Sequence, residues 1–176
     1  MSIHERFAIW FEHECDCNEK MLAMLESVPL ERRNDAAFVR ALNLAGHLAA
    51  CRENWLTRMK GEDKAPADWW PLDVNLESLK PRFEAMQGSW RDYLAGLSDE
   101  VLRGDFEFTS KTGQRYRWNI EGQIVQLMGH APYHRGQISM IVESLGGETV
   151  DTDFLIWAYD RDTWYGLSAE RRTPIT

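Results

Sequence analysis

Apolar residues recur every three or four positions over four long stretches of this chain. The stretches cover residues 3 to 28, 35 to 59, 76 to 97 and 121 to 145. This spacing is typical of the apolar face of an amphipathic α-helix, and the helix-ending residues Pro29, Gly61 and Gly146 follow three of the stretches. Residues 61 to 75 contain two prolines and several turn-forming residues, which indicates a long loop. The pattern therefore predicts four long helices.

The periodicity changes before the fourth of these helices. Residues 106 to 109 and 115 to 118 alternate apolar with polar side chains around Lys-Thr-Gly, which predicts a β-hairpin. A short helix could follow in VDTDFLIWAYD, residues 150 to 160. We therefore predict an all-α protein, a four-helix bundle with a small β-hairpin before the fourth helix, as a single domain over residues 1 to 176. Ligand sites in such bundles are built from inward-facing side chains.

Composition and charge narrow the class of protein. The formal net charge is −8, from 20 basic and 28 acidic residues, and no long basic run is present, so nucleic acid and anionic membrane are poor partners. The charged start MSIHERFAIWFEHE does not fit a signal peptide, and no apolar run approaches the roughly 20 residues of a membrane span. Cysteine occurs three times, an odd number that argues against a disulfide framework. We expect a reduced, cytoplasmic protein.

The segment GHAPYHRGQI, residues 129 to 138, carries the clearest chemical signal. At about 100° per residue, His134 lies about 40° round the helix from His130, so the two side chains share a face. Two neutral imidazoles at this spacing can bind one metal ion. The alternative is a pair of ordinary hydrogen-bonded histidines. Pro132 points away from this face, so it is compatible with either interpretation.

A metal site needs a third ligand. His47 is the best candidate, because it borders the apolar face of the second helix, one turn before Cys51. His13 and His4 on the first helix are the other histidines, and His13 is the stronger candidate of the two. The run HECDC, residues 13 to 17, resembles a soft-ligand cluster, but neighbours one or two positions apart do not share a helical face. A small buried thiol is the preferred interpretation of Cys51.

Several polar residues could support such a site. Gln126, Gln137 and Tyr133 lie on or beside the histidine face and are candidates for contacts with the ligating histidines or a substrate. For the two glutamines, plain interhelical hydrogen bonds are the preferred interpretation. Arg135 points off this face, and it is either a structural residue or lies at the edge of a substrate site; a salt bridge is the preferred interpretation. Glu14 interrupts the apolar face of the first helix, so it either reaches the bundle interior or, as the preferred alternative, lies on a solvated face.

Three segments resemble the DinB/YfiT-like superfamily. They are GHLAACRENWL (residues 46 to 56), the hairpin before the fourth helix, and HAPYHRGQI with the following LGGETVDTDFL. The superfamily includes bacterial low-molecular-weight-thiol S-transferases and mycothiol-dependent maleylpyruvate isomerases. The resemblance implies an up-down-down-up bundle in which three histidines hold a divalent metal, and by position these are His47, His130 and His134.

Three imidazoles would leave positions open on a metal such as Zn²⁺, as in catalytic sites. A coordinated thiol would lose its proton, and the pKa of a coordinated water would fall towards ~7. Our leading hypothesis is a transferase that activates a low-molecular-weight thiol against a small-molecule substrate. The alternatives are a hydrolase that uses metal-bound hydroxide and a non-enzymatic metal-binding or stress-response module. Zinc or nickel suits imidazole ligands better than magnesium. For the oligomeric state, we expect a homodimer.

Overall fold

The computed structural model describes residues 1–62 and 68–161, and four long helices dominate it. These are α1 (Ile3–Ser27), α2 (Ala36–Met59), α3 (Leu76–Ala95) and α5 (Ile120–Ser144). A short helix, α4 (Asp99–Leu102), precedes strands β1 (Asp105–Thr109) and β2 (Arg115–Asn119), and α6 (Phe154–Arg161) follows α5. The prediction of an all-α bundle with a small hairpin before its last long helix is confirmed.

The direction of each long helix follows from contacts near the helix ends. Along α2 and α3, Asn43 accepts from the Val74 amide at 3.1 Å and Glu53 accepts from Arg82 at 2.8 Å, so the two helices run parallel. The short connection over residues 28 to 35, which contains one 3-10 turn, returns α2 antiparallel to α1.

Helices α1 and α5 run in the same direction. Asn18 of α1 accepts from Arg135 of α5 at 3.2 Å, and Ser27 at the end of α1 accepts from the Glu148 amide just beyond α5 at 2.7 Å. The directions are therefore up, down, down and up. This arrangement sets α2 and α5 side by side and antiparallel.

Local sequence explains where the long helices begin. Ser2 and Glu5 form a reciprocal capping box before α1, and the side chains of Asn75 and Asn119 accept backbone N–H groups at the starts of α3 and α5. Pro132 does not end α5, which continues to Ser144 with the proline ring on its exposed side. The strands pair antiparallel, with Phe106 opposite Trp118.

The core lies between the four long helices. Trp90, Phe83, Met21 and Leu25 are almost fully buried there, and the Trp90 indole N–H donates to the Arg52 carbonyl at 3.0 Å. The described helices include none with the length and apolar character needed to cross a bilayer. The loop expected over residues 61 to 75 has no helix or strand from residue 68 onwards, and residues 63 to 67 lie outside the described residues.

Candidate metal centre

Three histidines from two neighbouring helices meet in the middle of the bundle. His47 comes from α2, and His130 and His134 come from successive turns of α5. The Nε2 atom of His130 lies 3.3 Å from that of His47 and 3.1 Å from that of His134. One ring nitrogen from each histidine falls within 4.8 Å of the others, so this group could hold a metal ion.

Hydrogen bonds on the opposite side of two rings set the direction of their lone pairs. His47 donates its Nδ1–H to the carbonyl oxygen of Trp69, and His134 donates its Nδ1–H to Oε1 of Gln137 at 3.0 Å. A neutral imidazole that donates from Nδ1 presents a lone pair at Nε2. Both Nε2 lone pairs therefore face His130, whose single Nε2 can donate to only one of them. A cation among the three nitrogens would satisfy all of them.

The nitrogen spacing also fits a shared ion. Zinc binds imidazole nitrogen at about 2.0–2.1 Å, so two nitrogens on a tetrahedral zinc lie about 3.3–3.4 Å apart. The observed separations of 3.3 and 3.1 Å are close to that value. Three protein ligands leave the fourth tetrahedral position for a small molecule.

Burial keeps two of these histidines neutral. It lowers the pKa of His47, and it lowers the pKa of His130 to about 4, with a further contribution from the positive charge that His134 and His47 would carry. At neutral pH both rings are therefore unprotonated at one nitrogen. This is the form that binds a metal.

The loop before α3 covers His47. Trp70 stacks on the imidazole with ring centroids 3.6 Å apart and planes 6° from parallel. Gly46 permits this approach, because a Cβ there would lie 2.7 Å from a methyl of Val74 and 3.0 Å from the Pro71 ring. The sequence pattern did not indicate a role for the loop residues or for Gly46, although GHLAACRENWL does place a glycine directly before the candidate histidine.

Cys51 lies close to the site but differs from the histidines in chemistry. Its Sγ atom is 3.4 Å from Nε2 of His47. Burial raises the pKa of the thiol to about 12, so the sulfur is protonated at neutral pH when no metal is bound. The group of potential ligand atoms found among the described residues consists of the three histidines without Cys51.

The predicted supporting residues of α5 take different positions. Gln137 orients His134, as described above, whereas Gln126 is exposed and accepts from Gln123 at 2.9 Å. The Tyr133 ring packs edge-on against His134, with centroids 5.0 Å apart, and remains largely exposed. Gln137 and Tyr133 therefore contact a histidine of the site, whereas Gln126 contacts another glutamine of α5.

Two expectations about charged residues are corrected. Glu14 is buried and accepts from Arg52 Nε at 2.8 Å, so the preferred solvated-face interpretation was wrong. A carboxylate inside the bundle is stabilised by such a paired guanidinium, and the sequence pattern did not identify Arg52 as its partner. Arg135 is buried and donates to Asn18 at 3.2 Å; within the described ranges it forms no salt bridge of the kind expected.

The remaining histidines and cysteines lie away from this centre. His13 bonds with the Thr152 carbonyl at 3.0 Å and lies 3.3 Å from Cys17 Sγ, and His4 bonds with Asp99 at 3.0 Å. These contacts join α1 to the segment before α6 and to α4. All three cysteines are free and buried, as expected for a chain without a disulfide framework.

An open groove of about 710 Å³ begins at His134 and Gln137. It is bounded by the first half of α2, the loop from Trp70 to Leu72, and Tyr133 of α5. A small molecule in this groove would reach the histidine cluster from the side of His134.

A comparison with known families matches nearly the whole chain. The model of the DinB family covers residues 1–164 of 176. This range includes the four long helices, the hairpin and all three clustered histidines. No curated protein and no solved structure matches the chain.

Proposed function

Because the chain belongs to the DinB family, and three histidines cluster where that resemblance expects them, we propose that it binds one divalent metal ion and works as a metal-dependent transferase. The ligands would be His47, His130 and His134. The co-substrate would be a low-molecular-weight thiol, and the second substrate a small electrophilic molecule. Zinc and nickel are the preferred ions, since borderline metals suit imidazole ligands.

The convergence of the three Nε2 atoms carries this proposal. His47 and His134 each donate Nδ1–H to an oxygen acceptor, which aims the opposite lone pair at His130. Metal-binding histidines in proteins generally have such an acceptor on the second ring nitrogen. A purely structural histidine pair would not require a third imidazole within 3.3 Å of it.

The number of ligands favours chemistry over a purely structural site. Structural zinc sites are closed by four protein ligands, whereas catalytic sites retain a free position beside three. An ion in this centre would supply Lewis acidity that lowers the pKa of a coordinated thiol or water. Gln137 holds the ring of His134, and Trp70 shields one face of His47 from solvent. The groove at His134 gives a substrate access.

The test is turnover by metal-loaded, untagged protein. Bacillithiol, mycothiol and glutathione are each supplied with a chromogenic electrophile, and His134→Ala serves as the matched protein without a complete site. We expect thiol-dependent turnover by the wild type and none above background by the variant. Cleavage of a chromogenic ester without any thiol would instead support the hydrolase alternative. A loaded wild type that is inactive with every thiol would overturn the transferase proposal.

A further inference from the structure

The groove beside His134 has an uneven distribution of charge. Among the residues that the structure describes, its lining contains one formally charged side chain, Arg40, and no carboxylate. This is unexpected in a chain with a net charge of −8. Arg40 is exposed, and within residues 1–62 and 68–161 its guanidinium has no hydrogen bond or ion pair. The groove therefore contains an unpaired cation at one end and His134 of the proposed metal site at its border.

The rest of the lining is mainly apolar and solvent-accessible. Trp70, Leu72 and Tyr133 are 58%, 76% and 64% exposed, and all three border this one groove. Large apolar side chains that remain exposed around one concave surface are typical of ligand sites. Trp70 has one ring face on His47, so the apolar surface continues to the metal centre.

Helix geometry gives the length of a ligand that could use both ends of the groove. Arg40 precedes His47 by seven residues, which corresponds to two turns and about 10 Å along the same face of α2. Asn43, between them on this helix, uses its Oδ1 to accept from the Val74 amide, so its Nδ2 group remains the donor available to a ligand.

We infer that this groove binds a small apolar carboxylic acid, and that Arg40 determines the preference for an anion. The carboxylate pairs with the guanidinium, the apolar body lies against Trp70, Leu72 and Tyr133, and the far end reaches the histidine cluster. The further statement that this acid is the electrophilic substrate rests on the proposed function. The binding step itself requires only the groove, so it can be tested without turnover.

The experiment is calorimetric titration with three probes that share one body and differ in charge, namely 4-phenylbutanoate, 4-phenylbutanamide and 4-phenylbutylamine. Each is titrated into zinc-loaded and chelator-treated protein. We expect the acid to bind at least about tenfold more tightly than the amide, because only the carboxylate forms an ion-paired hydrogen bond with the guanidinium. The amine should bind most weakly, because its charge repels that of Arg40. The preference should persist after chelation, because Arg40 supplies it.

Variants assign the effect to one side chain. Arg40→Gln should reduce the preference for the acid to near unity, and Arg40→Lys should retain part of it through its charge. Arg103→Gln removes the same charge from an exposed position outside the groove and should change nothing. Equal binding of the three probes, no saturable binding of the acid, or an unchanged Arg40→Gln variant would each overturn the inference. If any of these results is accompanied by thiol-dependent turnover, the acid-binding inference fails but the proposed transferase function stands. If the acid binds in an Arg40-dependent way but no thiol gives turnover, the acid-binding inference stands and the transferase proposal fails.

Discussion

The Nε2 atoms of His47 and His130 lie 3.3 Å apart, although 83 residues separate them along the chain. An ion between them would cross-link α2 to α5 in the native state only. Such an ion stabilises the fold by RT ln(1 + [L]/Kd), which is about 4 kcal/mol when free metal exceeds Kd about a thousandfold. The stability of the protein should therefore depend on metal.

The first prediction concerns His47→Ala. Chelation should lower the Tm of the wild type, whereas the Tm of this variant should be nearly insensitive to chelator, because two histidines hold the ion weakly. Thermal melts with and without chelator measure both effects. His4→Ala, which changes a histidine bonded to Asp99 outside the cluster, is the control, and chelation should lower its Tm by as much as that of the wild type. A His47→Ala protein with full metal content and a chelator-sensitive Tm would place the third ligand elsewhere.

The second prediction concerns stoichiometry. Untagged protein should carry close to one divalent ion per chain, and His130→Ala or His134→Ala should each abolish it, because each removes one of only three ligands. Elemental analysis of the purified variants provides the measurement. A variant that retained the ion would exclude its histidine from the site, and retention of magnesium in place of zinc or nickel would contradict the expected ligand preference.

The third prediction compares two glutamines of α5. Gln137 fixes the ring of His134, whereas Gln126 bonds with Gln123. Gln137→Ala should weaken metal binding about 10–100-fold, the usual effect of removing a residue that orients a ligand, and Gln126→Ala should leave the affinity unchanged. Competition with a zinc-binding dye gives the affinities. Gln137→Glu keeps an oxygen acceptor and should rescue binding; equal affinities for all three variants would show that Gln137 has no orienting role.

The fourth prediction concerns Gly46. A Cβ at this position would overlap Val74 at 2.7 Å, so Gly46→Ala must displace the loop that carries Trp69 and Trp70. We expect a loss of about 1–3 kcal/mol in stability, as for other overpacked sites, together with weaker metal binding. Gly88 in α3 has nothing within 4 Å of such a Cβ, and Gly88→Ala should instead gain up to about 1 kcal/mol. Urea denaturation and dye competition measure the two effects, and equal behaviour of the two variants would contradict the close packing at Gly46.

The fifth prediction concerns pH in chelator-treated protein. The pKa of His130 is about 4 in the folded state, because burial and the neighbouring histidines oppose its charge, and it is near 6.5 when unfolded. Between these two pH values the unfolded chain binds more protons than the folded chain. The contribution of His130 to the free energy of unfolding is therefore fully present above about pH 6.5 and is lost as the pH decreases towards 4. His130→Asn should reduce this slope in denaturation experiments at a series of pH values. An identical slope in the variant would contradict the assignment.

Much of the fold could be predicted from the sequence because it depends on local patterns. The four long helices follow from three- and four-residue apolar spacing, and their observed ends lie within about two residues of the predicted ones. The pair His130 and His134 follows from helix geometry alone. The short helix α4, Asp99–Leu102, was missed because four residues are too few to show a period.

The position of His47 required more than local pattern. Its position beside the apolar face of α2 made it the best candidate for a third ligand, and the family resemblance then supported this choice over His13. The structure brings His47 to the α5 pair and places His13 against the Thr152 carbonyl instead. The helix face on which each histidine lies decides this difference, because α1 also packs against α5 but His13 lies towards the segment before α6.

Only the tertiary structure decided what surrounds each polar group. Glu14 could be a surface residue by pattern, and burial beside Arg52 made it an interior ion pair. The roles of Gln137 and Gln126 could not be separated by spacing along one helix, and the carbonyl that holds His47 belongs to a loop 22 residues away. Periodicity determines which face of a helix is buried, but a hydrogen bond depends on which atoms a second element brings within about 3 Å.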